Sequence, residues 1–174
     1  EVMKHPSVNH VDMVEIDKTV VDASKEFLPD VGDFNNPKLN VLYEDGIAFI
    51  KNTTDPYDVI IIDGSDPVGP AEGLFEKDFF ELCQKALNDE GVLTAQTESP
   101  WVESYYSSMK KVFHAIDDLF PVSKMYLSFI PLYPAGMWSM ACASKTENPL
   151  SDAVYNRITN GIDHIKPLKY YNAD

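Results

Sequence analysis

Apolar runs that close on an acidic residue alternate with stretches of helical period, and that alternation limits this chain to few architectures. Residues 8–16 carry Val8, Val11, Met13, Val14 and Ile16 as a buried strand and end in Glu15-Ile16-Asp17. From Lys18, the residues Val20, Val21, Ser24, Phe27 and Leu28 recur near helical spacing until Pro29, predicting a helix capped by Asp17 with one face on a sheet. Residues 39–43 form a second short strand, Asp45-Gly46 turns the chain, and residues 47–50 supply about one helical turn. A third strand over residues 57–62 runs straight into Asp63-Gly64-Ser65-Asp66-Pro67.

The pattern continues. Phe79, Leu82, Cys83, Ala86 and Leu87 trace a helix with Gly91 as its stop signal, and residues 92–96 resume a strand. Ser99-Pro100 supplies an N-cap and a first-turn proline for a helix to about residue 113, with Met109, Val112, Phe113 and Ile116 on one side. The ending differs: the β-rich runs 122–130 and 137–144 are separated by Pro131-Leu132-Tyr133-Pro134-Ala135-Gly136, which predicts an antiparallel hairpin at the sheet edge, followed by a helix over 151–161. Strand and helix joined by short links predict an α/β fold, a mostly parallel sheet flanked by helices, within one domain over residues 1–174.

With 28 acidic against 14 basic residues the formal charge is −14, and no basic cluster could track a phosphate backbone, so nucleic acid is a poor partner. An acidic field concentrates cations, which favours amines, polyamines or a sulfonium centre as partners. Cys83 and Cys142 lie in apolar surroundings without CxxC spacing, as reduced buried thiols of a cytoplasmic protein do. No apolar run approaches the roughly 20 residues of a membrane span, and the first five residues do not resemble a signal peptide. His5, His10, His114 and His164 are scattered without metal-ligand spacing, so no metal is expected. The chain opens without a Met in what reads as a helix tail, which leads us to expect lost upstream sequence.

In an open parallel sheet, ligands bind beyond the carboxyl ends of the strands, and three successive strands here end in an acid. Glu15 sits where such a sheet places the acid that accepts both ribose hydroxyls, or is a solvated strand-end carboxylate. Asp45 either caps the following helix or accepts from an adenine amino group. Asp63 and Asp66 are turn formers or a carboxylate pair, one acting as base towards an ammonium while the other holds positive charge. Tyr133, expected to be buried in its proline-bounded turn, is a structural aromatic or lends its hydroxyl to the same amine.

The run Asp63-Gly64-Ser65-Asp66-Pro67-Val68-Gly69-Pro70-Ala71-Glu72-Gly73-Leu74-Phe75 resembles the signature loop of the spermidine synthases, the polyamine aminopropyltransferases. Val14-Glu15-Ile16-Asp17, Glu44-Asp45-Gly46, Ala95-Gln96-Thr97-Glu98-Ser99-Pro100-Trp101 and residues 130–139 resemble further motifs of that family, in its order and over nearly the whole chain. The resemblance implies a Rossmann-like fold of the AdoMet-methyltransferase type. It implies a nucleoside pocket of Glu15, Ile16, Asp45, Gly46, Asp63, Pro70 and Ala71 for decarboxylated S-adenosylmethionine, a co-substrate rather than a cofactor. It makes Asp63 the catalytic base, with Asp66, Tyr133 and, through water, Gln96 and Glu98 orienting putrescine. Direct displacement at the carbon beside the sulfonium then gives spermidine and 5'-methylthioadenosine. The loop from Asp63 to about Phe75 closes over bound substrates in that family.

Family members also carry an N-terminal β-rich domain and a GGGDGG loop upstream of where Glu1 stands, and continue past Asp174, so the expectation is a core fragment of a homodimeric or homotetrameric enzyme. Two rivals are weighed against it. A diamine (putrescine) N-methyltransferase shares the scaffold and much of the loop but uses intact AdoMet, and a non-catalytic nucleoside-binding fragment would keep the acids for packing and solubility.

Overall fold

Asp17 behaves as the spacing predicts: its side chain accepts the Thr19 N–H at 2.8 Å and opens helix α1, Lys18–Phe27. A computed structural model describes residues 1–30, 32–65 and 69–162. These form two compact units, the described residues of 1–49 with 150–162 and those of 50–149.

In the first unit β1, Val11–Val14, pairs in parallel with β2, Leu39–Leu42, in the register Val11↔Leu39 to Val14↔Leu42. The strand expected over residues 8–16 is thus four residues long. Helix α1 buries Val21, whereas Val20, Phe27 and Leu28 are more than half exposed; its apolar face is narrower than the spacing predicts. The single turn expected after Asp45 is the seven-residue helix α2, Gly46–Asn52.

The second unit holds a four-stranded sheet in the order β3-β4-β6-β5. Strand β3, Tyr57–Ile62, pairs in parallel with β4, Leu87–Gln96. The hairpin of β5, Val122–Phe129, and β6, Met137–Ser144, is antiparallel and packs β6 on β4, so the expected edge hairpin is present. Helix α3, Lys77–Ala86, lies on β4, and α4, Glu103–Leu119, lies on β5, β6 and α3. Phe80, Cys83, Leu93, Val112, Ile116 and Ala141 are at most 1% exposed and form the dry centre. Burial pushes the Cys83 thiol up to about 12 and raises that of the half-buried Cys142, so neither is an activated nucleophile. Helix α5, Asp152–Ile162, belongs to the first unit. Among the described residues no helix is long and apolar enough to cross a membrane.

Two punctuation signals mislead. Gly91 does not stop α3, which ends at Ala86 with Leu87 already extended; Gly91 lies inside β4. Tyr57 pairs with Leu87 and Val59 with Val92, so residues 88–91 bulge opposite Asp58, and the Asn88 amide donates to the Asp58 carboxylate. A Cβ at position 91 would lie 2.9 Å from the Leu87 Cβ, which is why glycine stands there. Ser99-Pro100 does not open α4: the Ser99 hydroxyl accepts the Trp101 N–H at 3.3 Å in a local turn, and the helix starts at Glu103 behind Val102. It runs six residues past the expected end because Ala115 and Ile116 extend the buried stripe of Met109 and Val112.

Candidate functional site

In the first unit the acids gather at the carboxyl ends of β1 and β2. The Glu15 N–H donates to the Leu42 carbonyl at 3.0 Å, which continues the ladder, and Glu15 Oε1 accepts the Asp17 N–H at 2.8 Å. A bond two residues along the chain therefore sets the Glu15 carboxylate, and Asp17 is spent on the α1 cap. Ile16 between them is 59% exposed, an apolar side chain presented at the strand end. Asp45 Oδ1 accepts the Ile47 N–H at 2.7 Å and the Ala48 N–H at 3.0 Å, so the capping alternative is realised, and Gly46 begins α2.

In the second unit the register Ile62↔Ala95, carried one step further, sets Asp63 beside Gln96 at the carboxyl ends of β3 and β4. Asp63 is exposed. The Gln96 side chain crosses between elements: Nε2 donates to the Gly64 carbonyl, and Oε1 accepts the Trp138 indole N–H at 2.9 Å. Beyond Gln96 the chain is pinned to β6. Ser139 donates its N–H at 3.0 Å and its hydroxyl at 2.5 Å to the Glu98 carbonyl, and its own carbonyl accepts the Thr97 N–H at 3.0 Å and hydroxyl at 2.9 Å. Thr97, Glu98, Ser99 and Ser139 are all at most 2% exposed. The Ser139 bonds to Thr97 and to the Glu98 carbonyl fasten this buried stretch to β6.

Tyr133 lies in the 130–136 turn, where its carbonyl accepts the Gly136 N–H at 2.9 Å; Gly136 sits at φ +69°, a conformation that favours glycine. Tyr133 is 41% exposed rather than buried, and its ring meets that of Trp138 at 4.7 Å and 73°. Tyr105 of α4 meets the same indole at 6.0 Å. Ala71 is half-buried in the 3-10 helix Gly69–Phe75, whose start is tied by the Gly69 N–H donating to Glu72 Oε1 at 3.3 Å. Asp66 and the side chain of Pro70 lie outside what the structure describes. Trp138 lies in the family-like stretch 130–139, but sequence reasoning assigned it no role, and its bond to Gln96, 42 positions away, has no local signal. Among the described residues no group of three or more His, Cys, Asp or Glu is placed to hold a metal ion.

The description spermine/spermidine synthase domain matches residues 1–152. The chain belongs to that family. The spermine/spermidine synthase domain here is 42% identical over 175 residues to a polyamine aminopropyltransferase of Alkaliphilus oremlandii, covering all of this chain and 61% of that protein. It is 41% identical over 179 residues to one of Clostridium botulinum type E3, again covering all of this chain and 61% of the relative. The chain thus spans about three fifths of the length of these curated relatives. A crystal structure of spermidine synthase in complex with the transition state analogue AdoDATO superposes with a TM-score of 0.91 at 34% identity, covering 99% of this chain and 58% of that one. Spermidine synthase from Thermotoga maritima gives 0.88 at 34% identity, with 99% and 57% covered. The spermine/spermidine synthase domain accordingly has the α/β fold that the strand and helix pattern predicts and the Rossmann-like form that the resemblance implies.

Proposed function

We propose that this chain is the catalytic core of a spermidine synthase, transferring the aminopropyl group of decarboxylated S-adenosylmethionine to putrescine and releasing spermidine and 5'-methylthioadenosine. The observation that carries the reading is the exposed carboxylate of Asp63 at a strand end beside a buried polar network, in a chain 42% identical over its whole length to a polyamine aminopropyltransferase. The structural neighbour, a spermidine synthase in complex with the transition state analogue AdoDATO, supports the same reaction class.

Glu15 is the acid for the ribose hydroxyls and Asp45 the acceptor for the adenine amino group, with Ile16, Gly46, Asp63, Pro70 and Ala71 completing the nucleoside contacts. The Asp45 bonds to Ile47 and Ala48 both fall on Oδ1, so capping and ligand binding do not compete for the same oxygen. Asp63 takes a proton from an ammonium of putrescine. The freed amine lone pair attacks the carbon beside the sulfonium, the C–S bond breaks, and its electrons leave on the thioether sulfur of 5'-methylthioadenosine. A sulfonium is an excellent leaving group, so the protein contributes deprotonation, in-line positioning and exclusion of water rather than a cofactor. Asp66 and Tyr133 orient putrescine, with Gln96 and Glu98 acting through water. The surplus of acidic residues suits a dicationic acceptor. A cytoplasmic setting and a homodimer or homotetramer belong to the same proposal.

The test is calorimetric titration of the chain with 5'-methylthioadenosine and decarboxylated S-adenosylmethionine, followed by a spermidine assay with putrescine. Binding that is lost in Glu15→Gln, with spermidine formed by the parent sequence, is the expected result. Transfer of a methyl group from intact AdoMet to putrescine would overturn it in favour of the N-methyltransferase reading.

A further inference from the structure

The Gln96 amide has partners of opposite kind at its two ends. An indole N–H only donates, so the atom it meets at 2.9 Å is Oε1; a carbonyl only accepts, so the Gly64 carbonyl is served by Nε2. Either amide flip would lose both bonds at once, which fixes the side chain in one orientation. The indole is fixed in turn: Trp138 is 7% exposed, anchored in β6, and packed by Tyr133 from the hairpin turn and Tyr105 from α4. The held carbonyl belongs to the residue directly after Asp63, in a glycine-containing turn with little rigidity of its own.

We propose that Trp138 is a positioning residue for Asp63, acting through the Gln96 amide on the Gly64 carbonyl. The proposal rests on the reading of Asp63 as the base and changes the part given to Gln96. With each end of its amide engaged inside the protein, Gln96 is a strut between the hairpin and the Asp63 turn before it is a ligand for water or diamine. Displacing a reacting group by about 1 Å costs on the order of a hundredfold in rate, so a strut that sets this turn is worth a side chain that never touches substrate.

Three substitutions cut the relay at different points. Trp138→Phe keeps an aromatic ring and removes the N–H; Gln96→Leu removes both bonds; Gln96→Glu keeps the indole bond and sets a carboxylate oxygen against the Gly64 carbonyl. The chain has two tryptophans, so its nitrogen-15 spectrum holds two indole peaks to assign. We expect Gln96→Leu to move the Trp138 indole peak and not that of Trp101. All three variants should move the Gly64 carbonyl and Asp63 carboxyl carbon resonances, and Trp138→Phe with Gln96→Leu should match Gln96→Leu alone. Turnover should fall about tenfold to a hundredfold in kcat with KM for the nucleoside unchanged.

A Gly64 resonance that stays in place in Trp138→Phe but moves in Gln96→Leu would overturn the proposal, as would additive effects in the double variant. Should Trp138→Phe fail to fold, Gln96→Glu decides, because it leaves the indole packed: an unmoved Gly64 carbonyl there is equally fatal. Movement of the turn with transfer unchanged would uphold the strut and count against Asp63 as the base, so the two readings fail separately.

Discussion

The strand-end acids of the two units are held in opposite ways. Around β1 and β2, Glu15 and Asp45 bond to backbone N–H groups two and three residues along the same stretch of chain. Around β3 and β4, the turn after Asp63 is held by Gln96, 32 positions from Gly64, and Gln96 by Trp138, 42 positions further on. On the proposed reading, a carboxylate that only has to meet a ribose is built from local caps, and one that has to act as a base draws on a second strand and a hairpin.

The contrast predicts different costs for removing each part. Asp63→Asn carries the largest: as an exposed residue outside the core it should leave the melting temperature unchanged, while transfer falls by about a hundredfold to ten-thousandfold. Retention of most activity would end the assignment of Asp63 as base. Ser139→Ala comes next, removing the hydroxyl shared by Thr97 and the Glu98 carbonyl in a fully buried network. It should cost about 1–3 kcal/mol in denaturant unfolding, together with some turnover through the loosened network.

Asp45→Ala should cost about 1 kcal/mol as a lost helix cap, plus nucleoside affinity. Asp45→Asn separates the two roles, since Asn caps well: stability should return while affinity for 5'-methylthioadenosine stays low, and full affinity in the Asn variant would reduce Asp45 to a cap. The smallest effect belongs to the exposed pair of Lys77 on α3 and Asp118 on α4, bonded at 2.8 Å. The Lys77 ammonium holds the Asp118 carboxyl below the usual carboxylate range. Its contribution is therefore present above about pH 4, the ordinary carboxylate pKa, and lost as pH falls through the lowered value. Both groups are solvent-exposed, so Asp118→Asn should leave the acid unfolding curve nearly superimposable on that of the parent.

The same contrast explains what was legible in the sequence. Asp17 and Asp45 cap helices that begin next to them, so residue type and position were enough. The antiparallel hairpin at the sheet edge followed from β-rich runs split by Pro131 and Pro134. Gln96 with Trp138 could not be paired this way, because the bond depends on how β4 and β6 are registered, and register is set by tertiary packing. Gly91 misled for a related reason. After an amphipathic run a glycine reads as a helix stop, whereas here the demand for a missing Cβ comes from Leu87 across a bulge. The α1 face was overread because helical spacing of Val20, Phe27 and Leu28 says which residues share a side, not whether anything covers it.

That bulge over residues 88–91 has a further use. Four residues of β4 stand against one of β3 there, before the ladder resumes at Val59↔Val92 and runs unbroken to Ile62↔Ala95. It is slack in the chain, placed upstream of the part that needs accuracy. A residue gained or lost in 88–91, or a small drift of α3, can be absorbed where no pairing is at stake, and Gln96 still arrives beside Asp63. The accuracy of the far end of the strand is thereby separated from the way α3 hands the chain to the sheet.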